Sequence, residues 1–599
     1  MDIKMNQTTI GTERQKVQLC VIGGGMSGIC AAVSAARRGL KVALVQDRPV
    51  LGGNASSEVR MWIRGAASRF PAYREGGIIE ELAMDNIYFN PTMTYAGWDG
   101  VLYNKVISEP NITLYLNSTC ISAQKDRDRI TEITVWRMTS YTFVKIEADY
   151  FADCSGDCIL AEFTDAKFRT GREGKNEFQE KGAPIVPDKK TMGNSCILQA
   201  REQNKPVPFI APPFAYKFSD DEFIHRLDIH SPINLRAENF WWLEIGGDGD
   251  SLKNADEYNQ KLISMAYGAW DYIKNSGKFN NVANWELDWV GFLAGKRESR
   301  RYVGDYILTE NDMENSEIFH DEIAYGGWGM DDHNPAGIAT REPPNIDYLL
   351  SKPYGIPYRC IYSSNIGNLF FAGRNISVTH RALSSTRVMA TCGLLGQAVG
   401  EAAAIAAKYS VTPRDVAEHI EELQQNLRDD DCYLLDTKRK ISETVLNGDS
   451  NLSERQKKLL FNGTEREIDE KTRSAELELN KEYYLRFQKT FCGEIRLLFD
   501  NDIARNSYPE KMCFEKLYPL MLNVSREANE VFIPPVLVRE YVVEARRNGA
   551  IVAVFTETEN RSRLVKLPVN DYIDEITVTF KQTYGGDKAK IFSIDLLKD

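Results

Sequence analysis

Apolar residues between positions 17 and 45 follow a strand, helix, strand pattern. VQLCVIGG and KVALV are short apolar runs typical of buried strands. Between them MSGICAAVSAARRG is rich in alanine and ends at Gly39, a residue suited to closing a helix. Two such strands joined by one helix run parallel in one sheet. The pattern therefore predicts a βαβ unit of an α/β fold.

The pattern changes further along the chain. Aromatic clusters such as NFWWLEIGG alternate with loop-rich pieces in the middle, and the α/β pattern resumes with NLFFAG near residue 365. Short alternating runs such as EITVTFK then dominate the C-terminal part and favour an all-β sandwich. We predict a Rossmann-like nucleotide-binding domain at 15–160 and 360–411, an inserted α+β substrate or cap domain at 161–359, a helical linker at 412–471 and a C-terminal β-sandwich at 472–599.

Composition narrows the class of protein and its partners. The 599 residues are enough for two or three domains, and the net charge of -12 makes nucleic acid a poor partner. The eleven cysteines lack paired spacing, so we expect no disulfide framework and no metal site, and read Cys154 and Cys158 as core or turn residues. No apolar run is long enough to span a bilayer, and the N-terminus lacks an apolar signal region. We expect a soluble cytoplasmic protein, periplasmic only if a signal peptide was removed, with a homo-oligomer left open.

A glycine motif stands at the turn between the first strand and the helix. Gly23, Gly25 and Gly28 form GxGxxG in the strand-to-helix context that a dinucleotide site requires. Gly23 permits the tight turn, Gly25 lets the backbone approach a pyrophosphate, and Gly28 allows close packing of helix and strand. Met26 and Ser27 open the helix, whose N-terminal N–H groups favour phosphate. The motif predicts dinucleotide binding.

The end of the second strand departs from the usual pattern. An acidic residue is expected there to hold the ribose hydroxyls. Gln46 occupies that place and Asp47 follows it. Either the Gln46 amide accepts the hydrogen bonds without a charge, or Asp47 takes the role.

Four segments together resemble the FAD oxidoreductases of the glutathione-reductase-like class. They are GGGMSGICAAVSAARRGLKVALVQDRPVLGGNASSE, DCSGDCILA, GKRESRRYVGDYILTENDM and NLFFAGRNISVTHRALSSTRVMATCGLLGQAVGEAAA, and the resemblance spans roughly residues 17 to 430. The last three are similar to a bacterial branch often found beside polysaccharide-degrading enzymes. The resemblance implies FAD as cofactor, with Gly52 and Gly53 beside the flavin.

The resemblance also implies further cofactor contacts. Asp153 and Gly156 match a turn that lies near FAD, although an acid-glycine turn is equally common as a purely structural element. Gly373 matches the point where a late strand passes the ribityl chain. Arg374 follows it where most flavoproteins have an acid, so phosphate or substrate binding is its implied role. The helix carrying Gly393 and Gln397 would direct its N-terminus at the flavin.

Histidines are the candidates for the proton that accompanies flavin chemistry. His380 follows the predicted flavin-contacting strand, and His333 lies in a polar, glycine-rich loop, so we predict that these two are catalytic. Arg297 is predicted to bind an anionic substrate, with an internal Arg–Glu network between domains as the alternative. Arg381, and likewise Arg387, is predicted to hold an anionic substrate or the FAD phosphates. Structural roles are expected for the other four histidines: His225, His230, His320 and His419. Five tryptophans could offer a sugar-stacking surface, of which one or two are expected in a site: Trp241, Trp242, Trp285, Trp289 and Trp328.

These features predict an FAD-dependent oxidoreductase that acts on a small organic substrate. A carbohydrate or related hydroxy compound, oxidised by hydride transfer to flavin N5, fits the resemblance. The sequence has no second GxGxxG between a strand and a helix, so it does not predict an NAD(P)H site. The identity of the electron acceptor is therefore left open. The alternatives are a glycan-binding protein with a vestigial or redox-neutral flavin domain, and a flavin-dependent RNA-modifying enzyme, which the acidic charge disfavours.

Overall fold

The computed structural model describes residues 11–223, 240–503 and 533–598. His225 and His230 lie outside the described residues. The described chain divides into two compact units. The first comprises residues 11–65, 94–223 and 240–423, and the second comprises residues 66–93, 424–503 and 533–598.

A seven-stranded sheet forms the centre of the first unit. Five strands are parallel and lie in the order Ile112–Tyr115, Val42–Val45, Gly11–Ile22, Thr142–Asp153 and Leu369–Phe371. Arg129–Arg137 and Ser118–Asp126 extend the sheet as an antiparallel pair on Thr142–Asp153. The chain begins at the central strand Gly11–Ile22, adds two parallel strands on one side and then continues on the other side, as in Rossmann folds. The predicted Rossmann-like α/β fold is therefore confirmed.

Two helices pack against each other beside this sheet. The Met26–Arg37 helix joins the first two strands, as the βαβ pattern predicts. The Met389–Tyr409 helix crosses it closely, because a Cβ at Gly396 would lie 2.0 Å from the carbonyl oxygen of Ser27. Within the described residues, Met389–Tyr409 is also the one helix long and apolar enough to cross a membrane by length and composition, and 89% of its apolar window is buried inside the protein.

The segment predicted as an inserted domain belongs to the first unit. Its strands form small antiparallel ladders, and its longest described helix, Ala255–Asn275, carries Trp270 in the same buried cluster as Trp242. The ladders pair Leu198–Glu202 with Trp285–Val290, Asn194–Ser195 with both Glu244–Ile245 and Gly295–Lys296, Phe168–Thr170 with Arg300–Tyr302, Glu322–Gly326 with Tyr354–Pro357, and Met330–His333 with Asn345–Tyr348. The other α-helices of this unit are Tyr95–Ile107, Ala161–Thr164, Lys175–Phe178, Glu310–Glu314 and His380–Thr386.

The second unit contains an antiparallel sheet of seven strands. The order is Ala475–Glu478, Lys588–Leu597, Glu482–Phe499, Leu564–Thr583, Val538–Arg547 and Ala550–Glu557, with Asp449–Ser450 paired to Glu482–Phe499. The predicted all-β C-terminal part is confirmed at this level. The described strands form one hydrogen-bonded sheet, and its folding into a two-layered sandwich stays a prediction.

Residues 66–93 also belong to the second unit, although the sequence analysis placed them in the nucleotide-binding domain. Their helix, Ile78–Phe89, carries Glu80, which accepts a hydrogen bond from Asn501 at 2.7 Å and lies 3.8 Å from Arg563. The helices Glu443–Leu446 and Glu454–Leu460 lie in the predicted linker and are part of this unit as well.

Candidate active site

The GxGxxG turn has the geometry that each of its glycines predicts. Gly23 has a φ of +102°, and a Cβ there would lie 2.5 Å from the carbonyl oxygen of Cys154. A Cβ at Gly28 would lie 1.8 Å from the carbonyl oxygen of Gly23, so only glycine lets helix and strand approach. At Gly25 nothing lies within 4 Å of the Cβ position, which leaves room for a ligand against the backbone.

The second pair of glycines packs directly on the first turn. Gly52 and Gly53 have φ values of +105° and +59°. The N–H of Gly52 donates to the carbonyl oxygen of Gly24 at 2.8 Å, and Gly25 and Gly52 form a parallel β-bridge. Two turns from separate parts of the sequence therefore form one glycine-rich surface.

Gln46 holds this surface together. Its Oε1 accepts a hydrogen bond from the N–H of Gly24 at 2.7 Å, and its Nε2 donates to the carbonyl oxygen of Val50 at 3.1 Å. Asp47 is exposed beside it. The structure thus gives Gln46 a turn-holding role, which the sequence analysis did not consider. Which of the two residues holds the ribose stays a prediction.

A cavity of about 1410 Å³ opens from the glycine-rich surface. Its volume exceeds the roughly 300–1,000 Å³ of an ordinary small-molecule pocket, so it has room for a dinucleotide and a second molecule. The predicted site residues that line it are Gly23, Gly25, Met26, Ser27, Gln46, Asp47, Gly52, Gly53, Gly156, Arg297, His333, Gly373 and Arg374. Those that do not line it are Gly28, Asp153, His380, Arg381, Gly393 and Gln397.

Asp153 organises the turn that the sequence analysis read in two ways. It is fully buried and accepts hydrogen bonds from the Ser155 Oγ at 2.6 Å and the Tyr302 hydroxyl at 2.6 Å. Burial raises the pKa of its carboxyl. These contacts favour the structural role for Asp153, while Gly156 reaches the cavity wall.

Asp157 and Arg374 form an ion pair on the cavity wall. Arg374 Nη2 lies 2.7 Å from Asp157 Oδ1, and Lys296 Nζ lies 2.7 Å from Asp157 Oδ2. Burial works against the charge of Asp157, but the two cations outweigh it and hold its pKa well below the usual range. Arg374 lines the cavity, and its partner within the protein is the Asp157 carboxylate. The phosphate or substrate binding that the resemblance implied for Arg374 stays a prediction.

The helix predicted to face the flavin contacts the cavity through other residues than those named from the sequence. Val388, Met389 and Cys392 line the cavity. Gln397 is buried, and its carbonyl oxygen accepts a hydrogen bond from Ser34 Oγ at 3.1 Å. Gly393 and Gln397 are not among the cavity residues, and their contact with the cofactor stays a prediction.

His380 lies behind the cavity, and the predicted position in the cavity wall is wrong. Its Nδ1 lies 2.8 Å from Glu298 Oε2, and its Nε2 lies 3.2 Å from Asp332 Oδ1. Burial disfavours the imidazolium, but the two carboxylates outweigh it and raise the pKa of His380 to about 10. A histidine that is charged at neutral pH has no free site to accept a proton.

His333 lines the cavity. Its Nδ1 lies 2.7 Å from Glu244 Oε2, its Nε2 lies 3.3 Å from Asp331 Oδ2, and its ring meets Trp241 edge-on at 5.2 Å. Glu244 is buried, yet Arg297 and His333 hold the pKa of its carboxyl below the usual value. Glu244 therefore stays ionised and can orient the imidazole and stabilise its charged form.

The two arginines predicted to bind substrate lie in different places. Arg297 lines the cavity, where its Nη1 donates to Ser195 Oγ at 2.7 Å and lies 3.4 Å from Glu244. Arg381 does not line it, and its guanidinium bridges Asp332 at 2.8 Å and Glu310 at 3.2 Å. Arg297 thus sits within an ion network that also borders the cavity, and Arg381 sits in a buried network.

Three of the five singled-out tryptophans line the cavity: Trp241, Trp289 and Trp328. Trp242 is buried in the core, and Trp285 packs against that core. Sequence reasoning missed other cavity residues, including Arg60, Trp62 and Asp331, whereas Arg387, named with Arg381 from the sequence, does line the cavity. A signal existed for Asp331, since it stands two positions before His333 on one strand and such residues share a face.

Fold and site together define an α/β protein that binds a dinucleotide cofactor in a large cavity. The family model described as FAD dependent oxidoreductase matches residues 18–427, and the chain belongs to that family. Its cofactor is FAD, and the open backbone at Gly25 beside a helix N-terminus without first-turn acids fits the pyrophosphate of that cofactor. The protein is an FAD-dependent oxidoreductase.

Solved structures similar to this chain are distant in sequence. A geranylgeranyl bacteriochlorophyll reductase-like protein from Thermoplasma acidophilum is 12% identical with a TM-score of 0.32, over 70% of this chain and 86% of that chain. OxyS anhydrotetracycline hydroxylase from Streptomyces rimosus is 11% identical with a TM-score of 0.30, over 69% of each chain. E. coli quinol fumarate reductase FrdA is 12% identical with a TM-score of 0.28, over 70% of this chain and 75% of that chain. Similarity of this size carries no argument about activity, and none of the curated proteins matches the chain.

Proposed function

We propose that this enzyme oxidises a small hydroxy compound of the carbohydrate class, with His333 taking the hydroxyl proton. The observation that carries the proposal is the position of His333 on the cavity wall, with Glu244 at its Nδ1. FAD, when bound, accepts the two electrons of such an oxidation as a hydride at its ring. The protein must then bind the substrate and remove one proton.

The proton transfer follows from the contacts of the His333 ring. The step uses the tautomer of His333 that carries its proton on Nδ1, against Glu244, and presents an unprotonated Nε2 to the substrate. Nε2 takes the hydroxyl proton, and the Glu244 carboxylate stabilises the imidazolium that forms. The contact of Nε2 with Asp331 is the longer of the two, at 3.3 Å, so a substrate hydroxyl can replace it at the smaller cost.

The other cavity residues support the substrate class. Trp241, Trp289 and Trp328 offer aromatic surface, and Arg297 and Arg387 offer planar donors. Such a combination suits a ring or chain bearing several hydroxyls. The resemblance to a branch found beside polysaccharide-degrading enzymes supports the same class.

Anaerobic reduction of the bound FAD tests the proposal. The FAD-loaded protein is mixed without oxygen with a panel of sugars, polyols and hydroxy acids, and loss of the visible flavin absorbance is followed. We expect at least one hydroxy compound to bleach the flavin, and the His333→Ala variant to do so far more slowly. A panel in which no compound bleaches the flavin would contradict the proposal.

A Gly25→Asp variant provides the cofactor control. Nothing lies within 4 Å of the Cβ position of Gly25, so the variant should fold. Its carboxylate would lie where the FAD pyrophosphate approaches the backbone, and we expect FAD binding to be lost. Gly25→Ala is the matched variant without the charge. Stoichiometric FAD in the aspartate variant would show that the cofactor binds elsewhere.

A further inference from the structure

Arg60 is a cation of the cavity wall that lacks an acidic partner. Among the described residues Arg60 forms no ion pair, and Asp99 and Asp288 act on its charge only from farther off. Six other cations that line the cavity form ion pairs: Arg48 with Asp47, Lys296 and Arg374 with Asp157, Arg297 with Glu244, Arg300 with Glu162, and Arg387 with Asp331. The charge of Arg60 is thus left for a partner that the cavity admits.

Neutral groups hold the Arg60 side chain in place. Its Nη1 donates to Gln199 Oε1, and its Nε donates to the carbonyl oxygen of Ser57 at 3.2 Å. The guanidinium carbon lies 4.2 Å from the centre of the Trp289 ring and 5.1 Å from that of Tyr95. Aromatic faces stabilise a cation without using its N–H donors. Burial lowers the pKa of the Arg60 guanidinium, and the charges of the more distant Asp288 and Asp99 do not offset this effect.

The backbone of Arg60 is constrained as well. Its φ of +61° lies in the left-handed region, which residues with long side chains rarely adopt. The N–H of Arg60 donates to the carbonyl oxygen of Ser56 at 2.8 Å, and the Tyr95 hydroxyl donates to the carbonyl oxygen of Arg60 at 2.7 Å. A conformation that is both unfavourable and held by several contacts is typical of ligand-binding positions.

The partners of Arg60 lie on the substrate side of the cavity. Trp289 and Gln199 belong to the paired strands Trp285–Val290 and Leu198–Glu202, within the segment that the sequence analysis predicted to hold substrate. The pyrophosphate already has the helix N-terminus at the glycine turn. We propose that Arg60 anchors a carboxylate of the substrate, so that the substrate is a hydroxy acid or an acidic sugar. This inference rests on the proposed function and narrows its substrate class.

Matched acid and neutral compounds test the inference by binding alone. The FAD-loaded protein is titrated with D-glucuronate and D-glucose, D-galacturonate and D-galactose, and L-lactate and propane-1,2-diol, and the change in the flavin spectrum gives each affinity. We expect the acid of at least one pair to bind more tightly than its neutral partner. Arg60→Gln should weaken that acid by about 10- to 100-fold, as for a lost hydrogen bond to a charged group, and leave the neutral compound within about twofold.

Two further variants keep the test decisive. Arg60→Lys retains the charge without the planar fork and should recover part of the acid preference. Arg201→Gln is the matched control, because this exposed arginine lies on the same strand as Gln199 and pairs with Glu286. It should leave the preference unchanged.

Several results would overturn the inference. These are the absence of acid preference in every pair, a preference that survives Arg60→Gln, and loss of FAD in both Arg60 variants, which would assign the charge to the cofactor pyrophosphate. Failure of the proposed oxidation gives a different result. An acid that binds through Arg60 but never bleaches the flavin contradicts the oxidation alone, and a neutral compound that bleaches it equally in Arg60→Gln contradicts the anchor alone.

Discussion

His333 and His380 are both buried, and each lies between two carboxylates. Nδ1 meets Glu244 at 2.7 Å in the first and Glu298 at 2.8 Å in the second, but His333 alone of the two lines the cavity. The strand Met330–His333 carries His333 itself, and its two faces contact the two histidines. Asp331 and Asp332 are neighbours on Met330–His333, and successive side chains of a strand point to opposite faces. Asp331 therefore meets His333 at the cavity, while Asp332 meets His380 behind it.

A histidine between two carboxylates can therefore be part of an ion network behind the cavity or can face the cavity itself. On the far face, Asp332 also pairs with Arg381, and Glu298 lies 3.6 Å from Arg301, so His380 is part of a closed ion network. On the near face, the network borders open space where a substrate can compete for the imidazole. Cavity access, and not the set of partners, separates the proposed catalytic group from the structural one.

The largest effect is expected from His333→Ala. Removal of a general base typically costs on the order of 100- to 10,000-fold in rate, so the reductive half-reaction should fall by that factor with FAD content unchanged. Rapid-mixing measurement of flavin bleaching checks it. His320→Ala, at an exposed histidine, is the matched control and should keep the rate. A normal rate in His333→Ala would remove the basis of the comparison.

The next effect is on stability and concerns His380→Gln. The variant leaves the buried Glu298 and the partly buried Asp332 without the cation between them, and breaking a buried ion pair costs about 3–5 kcal/mol. We expect a clear loss in the free energy of unfolding by urea, followed by circular dichroism, and a bleaching rate within a few-fold of normal. The catalytic role predicted for His380 from the sequence stays a prediction until then, and a collapse of the rate in a folded variant would support it.

The pH dependence of stability should separate the clusters further. The pKa of His380 is raised from 6.5 to about 10, so its stabilising charge is fully present below pH 6.5 and is lost as the pH rises towards 10. The melting temperature of the wild type should therefore approach that of His380→Gln between pH 7 and 10. Parallel curves over that interval would show that His380 is not charged in the folded protein.

The cofactor half of the cavity could be predicted from the sequence, because its features are local. The spacing of Gly23, Gly25 and Gly28 between a strand and a helix determines the turn without reference to distant residues. Gly52 and Gly53 were likewise predicted from a short continuous segment, the one that carries the resemblance. Gln46 was harder, because its hydrogen bond to the Gly24 N–H depends on a side-chain direction that residue type does not specify.

The substrate half could not be predicted in the same way. Glu244, Arg297 and His333 come from three separate segments, and no spacing in the sequence links them. Likewise, the apolar face of Ile78–Phe89 indicates a buried helix but not which core buries it, so its membership of the second unit needed the structure.

The smallest effects are expected from removing one hydroxyl near His333 and one near His380. Ser195 Oγ accepts a hydrogen bond from Arg297 Nη1 at 2.7 Å beside the cavity, and Thr379 Oγ1 accepts one from the Ala382 N–H at 3.1 Å as the cap of the helix that begins at His380. Ser195→Ala should release Arg297 and slow bleaching by roughly five- to tenfold, the equivalent of about 1 kcal/mol, with little change in stability. Thr379 Oγ1 also donates to Glu180 Oε1 at 2.6 Å. Thr379→Ala should therefore cost about 2 kcal/mol of unfolding free energy, for the lost helix cap and the lost hydrogen bond, and leave the rate unchanged.

Measured together, these two variants test whether the cavity side of the strand Met330–His333 affects only the rate and the other side only the stability. Ser195→Ala removes a hydroxyl and Thr379→Ala removes a hydroxyl and a methyl group, and neither changes the charge, so a change of charge cannot account for opposite outcomes. If the strand Met330–His333 separates function from structure, the rate should respond only on the cavity side and the unfolding free energy only behind it. Equal effects of both variants on both quantities would mean that the two ion networks act as one unit, and that access to the cavity does not determine which histidine handles the proton.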